Sequence, residues 1–376
     1  MILDSIKTSP YELTFKKQYS NSKFSISYRQ GFIISLSSNG INGYGDCCPL
    51  DQFSEESYEQ SGYGLEGFKL SIDKTKEIDF EELMHLAEAH GESQPSVQFA
   101  IEVAIYDLYS KLEGSPLNKF INNNSDPSVK VNYYQESKVE PFKNMVIKLK
   151  IISDNLFDNI NKIDRVLEQF NGMAKLRLDF NESMDLTKAI RFCKMIEGKP
   201  IDYIEQPLSK NNFEDMHELT LHTDIPIAAD EMVTDIDSLN KILDHQCADV
   251  FILKPMLIGG IDNCREMIKT ILSESKRYNI SSLLESNIGR LSYLHLASAF
   301  NASEESGIAT NIFFNNDICK FPTPINGIVK LNNNFIGYSK EMNKLIKLDS
   351  NMDLNPYLNS QTQNCSTCHQ KTQELP

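Results

Sequence analysis

The chain has 376 residues, with 37 Lys and Arg against 52 Asp and Glu, a formal net charge of −15 at pH 7 and a hydrophobic fraction of 40%. So acidic a balance argues against nucleic acid as a partner, and the composition is that of a globular protein, neither disordered nor collagen-like. No apolar run approaches the roughly 18–20 residues of a membrane span, and Met1-Ile2-Leu3-Asp4-Ser5-Ile6-Lys7 lacks the apolar core of a signal peptide, so a cytoplasmic chain with no membrane partner is expected. The eight cysteines, at 47, 48, 193, 247, 264, 319, 365 and 368, have no framework spacing and read as thiols.

In chain order, Tyr11 to Lys17, Lys23 to Tyr28 and Phe32 to Leu36 read as antiparallel strands, with Ser38-Asn39-Gly40 as turn chemistry. Helical patterns follow over Phe80 to His90 and Ser96 to Leu112, where Phe99, Ala100, Val103, Ala104 and Leu108 recur at helical spacing and Pro95 suits a helix start. Strands followed by helices make residues 1–127 an α+β region, ended by the polar linker Asn122 to Pro127. Beyond it, β-rich runs alternate with stretches long enough for one helix each. They span Val129 to Tyr134, Met145 to Ile151, Ala174 to Phe180, Tyr203 to Glu205, Pro226 to Ala229, Val250 to Lys254, Ser281 to Glu285 and Ile308 to Phe313. Matched polar residues at the run ends recur every 24 to 31 positions. That βα rhythm, with a count near eight, favours a parallel (β/α) barrel over an open doubly wound sheet. The expected organisation is a barrel over 128–320, a segment 321–350 returning to the N-terminal region and a disordered, Asn- and Gln-rich tail over 351–376.

Ionisable residues close the runs: Lys148 and Lys150, Asp179, Glu205, Asp230, Lys254 and Glu285. Charges ending buried strands are costly unless paired or metal-bound, and the C-terminal mouth of such a barrel is where chemistry is placed. Asp179, Glu205 and Asp230 come from three successive strands and supply the hard oxygens that an octahedral Mg²⁺ retaining some waters requires. Lys148 and Lys150, at i and i+2, point to one strand face. At about 6.6 Å and an effective dielectric near 20, their repulsion is about 2.5 kcal/mol, enough to bring a lysine from about 10.4 toward 8. Lys254 ends a run four strands from Lys150, across the mouth. Lysines on opposite sides of a metal suit removal of a proton next to a carboxylate, the metal holding the enediolate charge.

These residues resemble those of the enolase superfamily, and more closely its o-succinylbenzoate synthase branch, over roughly residues 25 to 320. Lys148-Leu149-Lys150, Leu176-Arg177-Leu178-Asp179, Ile204-Glu205-Gln206-Pro207, Ala229-Asp230-Glu231 and Leu253-Lys254-Pro255 are similar, in order, to that family's base, metal-ligand and second-lysine motifs. Gly43 to Leu50 with Phe53-Ser54-Glu55-Glu56, Pro95 to Glu102, and Leu284 to Gly289 resemble its capping loop, a capping helix and its seventh-strand segment. The resemblance implies an enolase-type barrel, a modified TIM barrel, with an N-terminal α+β capping domain. It implies Mg²⁺, with Mn²⁺ as a possible substitute, on Asp179, Glu205 and Asp230. The implied reaction is dehydration of 2-succinyl-6-hydroxy-2,4-cyclohexadiene-1-carboxylate to 2-succinylbenzoate, a step of menaquinone biosynthesis. Lys150 would remove the α-proton and return it to the leaving hydroxyl, Lys254 would stabilise the intermediate, and Lys148 would lower the pKa of Lys150. Arg177 and Ser286 are candidate substrate contacts, and the loop Pro49 to Ser54 would close over the site.

The same constellation serves racemases of N-succinyl amino acids and dipeptide epimerases. The latter usually carry an aspartate-rich motif near the eighth strand, where this chain has Asp317 alone. A non-catalytic barrel would have no need of three lysines so placed. Gly62-Tyr63-Gly64-Leu65-Glu66-Gly67 fits the dinucleotide glycine pattern without a preceding strand, and Cys365-Ser366-Thr367-Cys368-His369 fits the c-type haem pattern in a polar tail; neither is taken as a site.

Overall fold

The computed structural model describes residues 1–21, 24–51 and 53–331. The expected disordered tail, the Cys365–His369 motif and the part of the returning segment after residue 331 lie outside the described residues.

Three antiparallel strands open the chain: β1 (Ser5–Ser20), β2 (Ser25–Ser38) and β3 (Ile41–Cys47), in the order β1-β2-β3. Asn39 (φ 53°) and Gly40 (φ 73°) supply the left-handed backbone that a tight β2–β3 turn demands. The two strands expected over Lys23 to Tyr28 and Phe32 to Leu36 are one, β2. Gly31 does not break it because the Tyr11 side chain packs against its Cα, where a Cβ would lie 2.6 Å from Tyr11 Oη.

Helices α1 (Tyr58–Ser71), α2 (Phe80–Gly91), α3 (Pro95–Leu112) and α4 (Leu117–Ile121) follow. Helix α1 starts in a capping box of Ser57 and Gln60 and contains the whole Gly62–Gly67 stretch. Pro95 opens α3, whose buried Val97, Ala100, Ala104 and Leu108 join Phe32, Ile34 and Leu36 of β2 in one core. Contact between β3 and α3 is so close that a Cβ on Gly45 would lie 1.8 Å from the Ala100 carbonyl oxygen.

After β4 (Ser128–Lys130) comes a parallel array: β5 (Tyr133–Tyr134), β6 (Met145–Lys150), α5 (Leu156–Gln169), β7 (Ala174–Asp179), α6 (Leu186–Met195), β8 (Ile201–Glu205), α7 (Phe213–Thr220), β9 (Ile227–Ala229), α8 (Ile236–Asp244), β10 (Val250–Leu253), α9 (Pro255–Ile258), α10 (Ile261–Ser273), β11 (Arg277–Ile280) and α11 (Asn287–Ala299). The seven strands β5 to β11 pair in sequence order, as a curling βα barrel requires. Ser306 and Gly307 close the circle with parallel bridges to Val131 and Ser281. The apolar stretch 308–313, expected as the eighth strand, becomes a 3₁₀ turn over Thr310–Phe313, and the strand-like contact lies just before it. The seventh strand likewise precedes the expected Ser281 to Glu285, which forms the loop into α11. A last strand, β12 (Ile328–Lys330), pairs antiparallel with β4.

Candidate active site

Parallel register sets the layers of the barrel interior. Lys150, Asp179 and Glu205 are Cα partners across β6, β7 and β8, so they form one row at the strand ends; Lys148, Arg177 and Tyr203 form the row beneath. Two residues of strand separate the rows by about 6.6 Å. Asp230 follows the end of β9, and its backbone N–H donates to Gln206 Oε1 (3.0 Å), which also accepts from Met232 N (3.4 Å). Gln206, at φ 36°, therefore fixes the turn that presents Asp230. Lys254 follows β10 and forms a buried ion pair with Asp230.

These groups meet in a cleft of about 520 Å³ at the mouth. Lys148, Lys150, Asp179, Asp230 and Lys254 line it from the barrel, and Tyr19, Phe24, Leu50 and Phe53 from the N-terminal region. Lys150 Nζ donates to Tyr19 Oη (3.1 Å) and lies 4.4 Å from that ring's centroid. Lys254 Nζ lies 4.6 Å from the ring centroid of Phe53, which packs edge-on against Phe24.

Lys148 is placed differently from expectation. Its Nζ donates to Glu205 Oε1 at 2.6 Å and lies 3.2 Å from Asp179 Oδ2. Burial opposes its charge, yet Asp179, Glu205 and Asp230 together hold it well above the ordinary lysine range. The charge expected to repel Lys150 is thus balanced within the row of carboxylates. For the Lys254 ammonium, burial also acts downward and is outweighed by Asp230 and Glu231.

Among the described residues, no three His, Cys, Asp or Glu side chains stand close enough together to hold a metal ion unaided. Asp179, Glu205 and Asp230 all act on the Lys148 ammonium, and Asp230 is paired with Lys254 as well. Glu205 Oε2 is buried without a hydrogen-bond partner. Burial, with Asp179 and Asp230 adding to it against the pull of Lys148, pushes the Glu205 carboxyl up to about 8. A buried carboxylate oxygen with no hydrogen-bond partner is what a hard divalent cation would satisfy, so Glu205, beside Asp179 and Asp230, fits Mg²⁺.

Two expected substrate contacts fall elsewhere. Arg177, one row deeper, turns away from the mouth. Its Nε donates to Asp202 Oδ2 (2.7 Å), its Nη2 to Glu305 Oε2 (3.2 Å), and its guanidinium lies 4.8 Å from the Tyr203 ring centroid. Fully buried among these partners, it does not line the cleft. Ser286 caps α11, accepting from Ile288 N (3.2 Å) while its Oγ donates to Asp46 Oδ2 (2.6 Å). Asp46 also accepts from Ser286 N (2.9 Å) and Tyr11 Oη (2.7 Å), so Ser286 ties β3 to the barrel. Glu285 is likewise buried outside the cleft, accepting from Ser282 Oγ (2.8 Å) and Leu283 N (2.6 Å). Sequence reasoning missed Tyr19 and Gln206; the one available signal was the Glu-Gln-Pro text around Gln206.

Comparison with known proteins agrees with this architecture. Residues 139–342 match the family model described as "Enolase C-terminal domain-like", and residues 5–108 match "MenC, N-terminal domain". The chain belongs to the enolase superfamily. It is similar to a chloromuconate cycloisomerase of Pseudomonas putida, at 22% identity over 311 residues, covering 78% of this chain and 82% of that protein. It is also similar to an o-succinylbenzoate synthase of Photorhabdus laumondii, at 27% identity over 290 residues, covering 75% and 82%. Its fold matches the dipeptide epimerase of Enterococcus faecalis V583 solved with Mg and the dipeptide L-Leu-L-Tyr, with a TM-score of 0.78 at 19% identity, covering 88% of this chain and 97% of that one. Among the described residues no helix is long and apolar enough to cross a membrane.

Proposed function

We propose that the chain is an o-succinylbenzoate synthase, dehydrating 2-succinyl-6-hydroxy-2,4-cyclohexadiene-1-carboxylate to 2-succinylbenzoate, with residues 1–127 as the capping domain and 128–320 as the catalytic barrel. The observation that carries this choice over a dipeptide epimerase is the cleft wall, whose only carboxylates among the described residues are Asp179 and Asp230. A dipeptide ammonium needs an anionic partner of its own. Asp317, the acidic residue near the expected eighth strand, instead accepts from Asn287 N (2.7 Å) and Ile318 N (2.8 Å) and pairs with Arg290. The match of residues 5–108 to the MenC N-terminal model supports the same reading.

Asp179, Glu205 and Asp230 are the proposed Mg²⁺ ligands, and the ion would supply electrostatic stabilisation of charge gathering on the substrate carboxylate. Lys150 Nζ takes the proton from the α-carbon. The C–H electron pair enters the conjugated ring system, the C–O bond breaks, and the hydroxyl leaves as water with the proton from Lys150. Lys254, paired with Asp230, remains an ammonium on the opposite wall and offers positive charge to the developing anion. Leu50, Phe53 and Leu284 present apolar surface to the ring and limit water at the mouth.

A second reading, racemisation of N-succinyl amino acids, draws on the same opposition of Lys150 and Lys254 and needs no ammonium site. The test is Mg²⁺-dependent loss of the cyclohexadiene absorbance by wild type beside Lys150→Ala. We expect the variant to lose about 10²–10⁴-fold in kcat; turnover within tenfold of wild type would exclude Lys150 as the base.

A further inference from the structure

We propose that Tyr19 is a positioning residue for Lys150, its hydroxyl holding the amine nitrogen in place both before and after the proton is taken. This inference rests on the reading of Lys150 as the base. The two lysines facing each other across the cleft have unlike partners. Lys254 is ion-paired to Asp230 and faces the purely apolar ring of Phe53. Lys150 meets a phenol, with Oη at 3.1 Å and the ring 4.4 Å from Nζ.

A hydroxyl is both donor and acceptor, and its hydrogen rotates to suit. Toward a neutral Lys150 amine the O–H donates; once the nitrogen carries the substrate proton, N–H donates to Oη. The phenol neither gains nor loses a proton, so the substrate proton passes from carbon to Nζ and on to the leaving hydroxyl without a third carrier. An ion-pair partner could not serve both states, because it favours only the ammonium.

Tyr19 is built into this place. Between the pairs Thr14↔Tyr28 and Tyr19↔Ile26 the β1–β2 register shifts, so residues 15–18 of β1 oppose Ser27 alone. Such a bulge re-aims the strand beyond it. The re-aimed segment is fastened to the barrel. Phe15 stacks on Phe314 (4.5 Å between centroids) and bridges it through the backbone, Asn315 N donates to Thr14 O (3.0 Å), and Lys16 Nζ donates to Ile312 O (2.8 Å). The Tyr19 ring is stacked on Phe15 and meets the edge of Phe313.

Tyr19→Phe keeps the ring and its packing and removes only the hydroxyl. We expect kcat on the cyclohexadiene to fall about tenfold or more, with KM within threefold and the unfolding midpoint unchanged. Independently of any substrate, acetylation of Lys150 by limiting acetic anhydride, read by peptide mass spectrometry, should rise at least threefold in Tyr19→Phe while the other lysines label as in wild type. A kcat within twofold of wild type with unchanged Lys150 labelling overturns the proposal. So does a loss that falls equally on kcat, KM and the unfolding midpoint, which marks a structural role. If wild type fails to turn over the cyclohexadiene, the synthase reading fails, and the labelling comparison still decides the role of Tyr19.

Discussion

Replacing Arg177 by Met separates a substrate contact from an internal ion pair. The guanidinium is fully buried, with Asp202, Glu305, the Asn132 amide and the Tyr203 ring around it. Removing one partner of a buried pair costs about 3–5 kcal/mol, because the remaining charge loses its compensation. Here two features place the cost near the lower end: Asp202 keeps Arg277 (2.8 Å), and the Glu305 side chain is 27% exposed and can turn to water. Loss of the stacking on Tyr203 adds about 1 kcal/mol, and Met recovers part of the packing. We therefore expect about 3–4 kcal/mol of destabilisation, read as a lower urea midpoint with an unchanged m-value, and a KM within threefold of wild type. A KM raised tenfold or more with the midpoint unmoved would refute the placement of Arg177 and restore it as a substrate contact.

Three further perturbations have outcomes set by the same structure. Saturating Mg²⁺ should raise the unfolding temperature of wild type by mass action and leave Glu205→Gln nearly unmoved, a contrast that differential scanning calorimetry reads without substrate. Gly45→Ala should abolish folded, soluble expression, since its Cβ would meet the Ala100 carbonyl at 1.8 Å, backbone against backbone; native-like circular dichroism would contradict this. Burial pushes the Glu102 carboxyl up to about 7, with Gln98 and the Ile261 N–H opposing. A raised acid pKa means that the folded state holds its proton longer, so this contribution to stability is complete below about 4.5 and is lost as pH rises through about 7. Glu102→Gln should therefore gain on wild type by about 3 kcal/mol between those limits, and parallel stability–pH curves for the two proteins would contradict the assignment.

Much of the site was legible because Lys150, Asp179, Glu205, Asp230 and Lys254 each end or follow a short apolar run, and the barrel carries successive run ends to one mouth. Period alone could not give depth. Arg177 shares its strand face with Asp179, yet sits one row lower, where a long side chain turns toward Asp202 instead of the cleft. The seventh strand was displaced because Arg277 and Asn279 make β11 look polar, whereas Leu283-Leu284 look strand-like and belong to a loop with Leu284 at φ 66°. Tyr19 was invisible for a different reason: it reaches Lys150 only through a bulge that neither alternation nor turn residues announce. Lys148 lies on the face that its i, i+2 spacing from Lys150 predicts, but its charge is matched by Glu205 and Asp179, a pairing that only the register between strands fixes.

Synthase and epimerase chemistry are told apart by offering wild-type protein with Mg²⁺ two substrates side by side, the hydroxy-cyclohexadiene carboxylate and an L-Ala-L-Glu dipeptide in D₂O, and following both by ¹H NMR. A synthase should aromatise the cyclohexadiene and leave no deuterium at the dipeptide α-carbon. Deuterium exchange into the dipeptide with the cyclohexadiene left untouched would contradict the synthase reading.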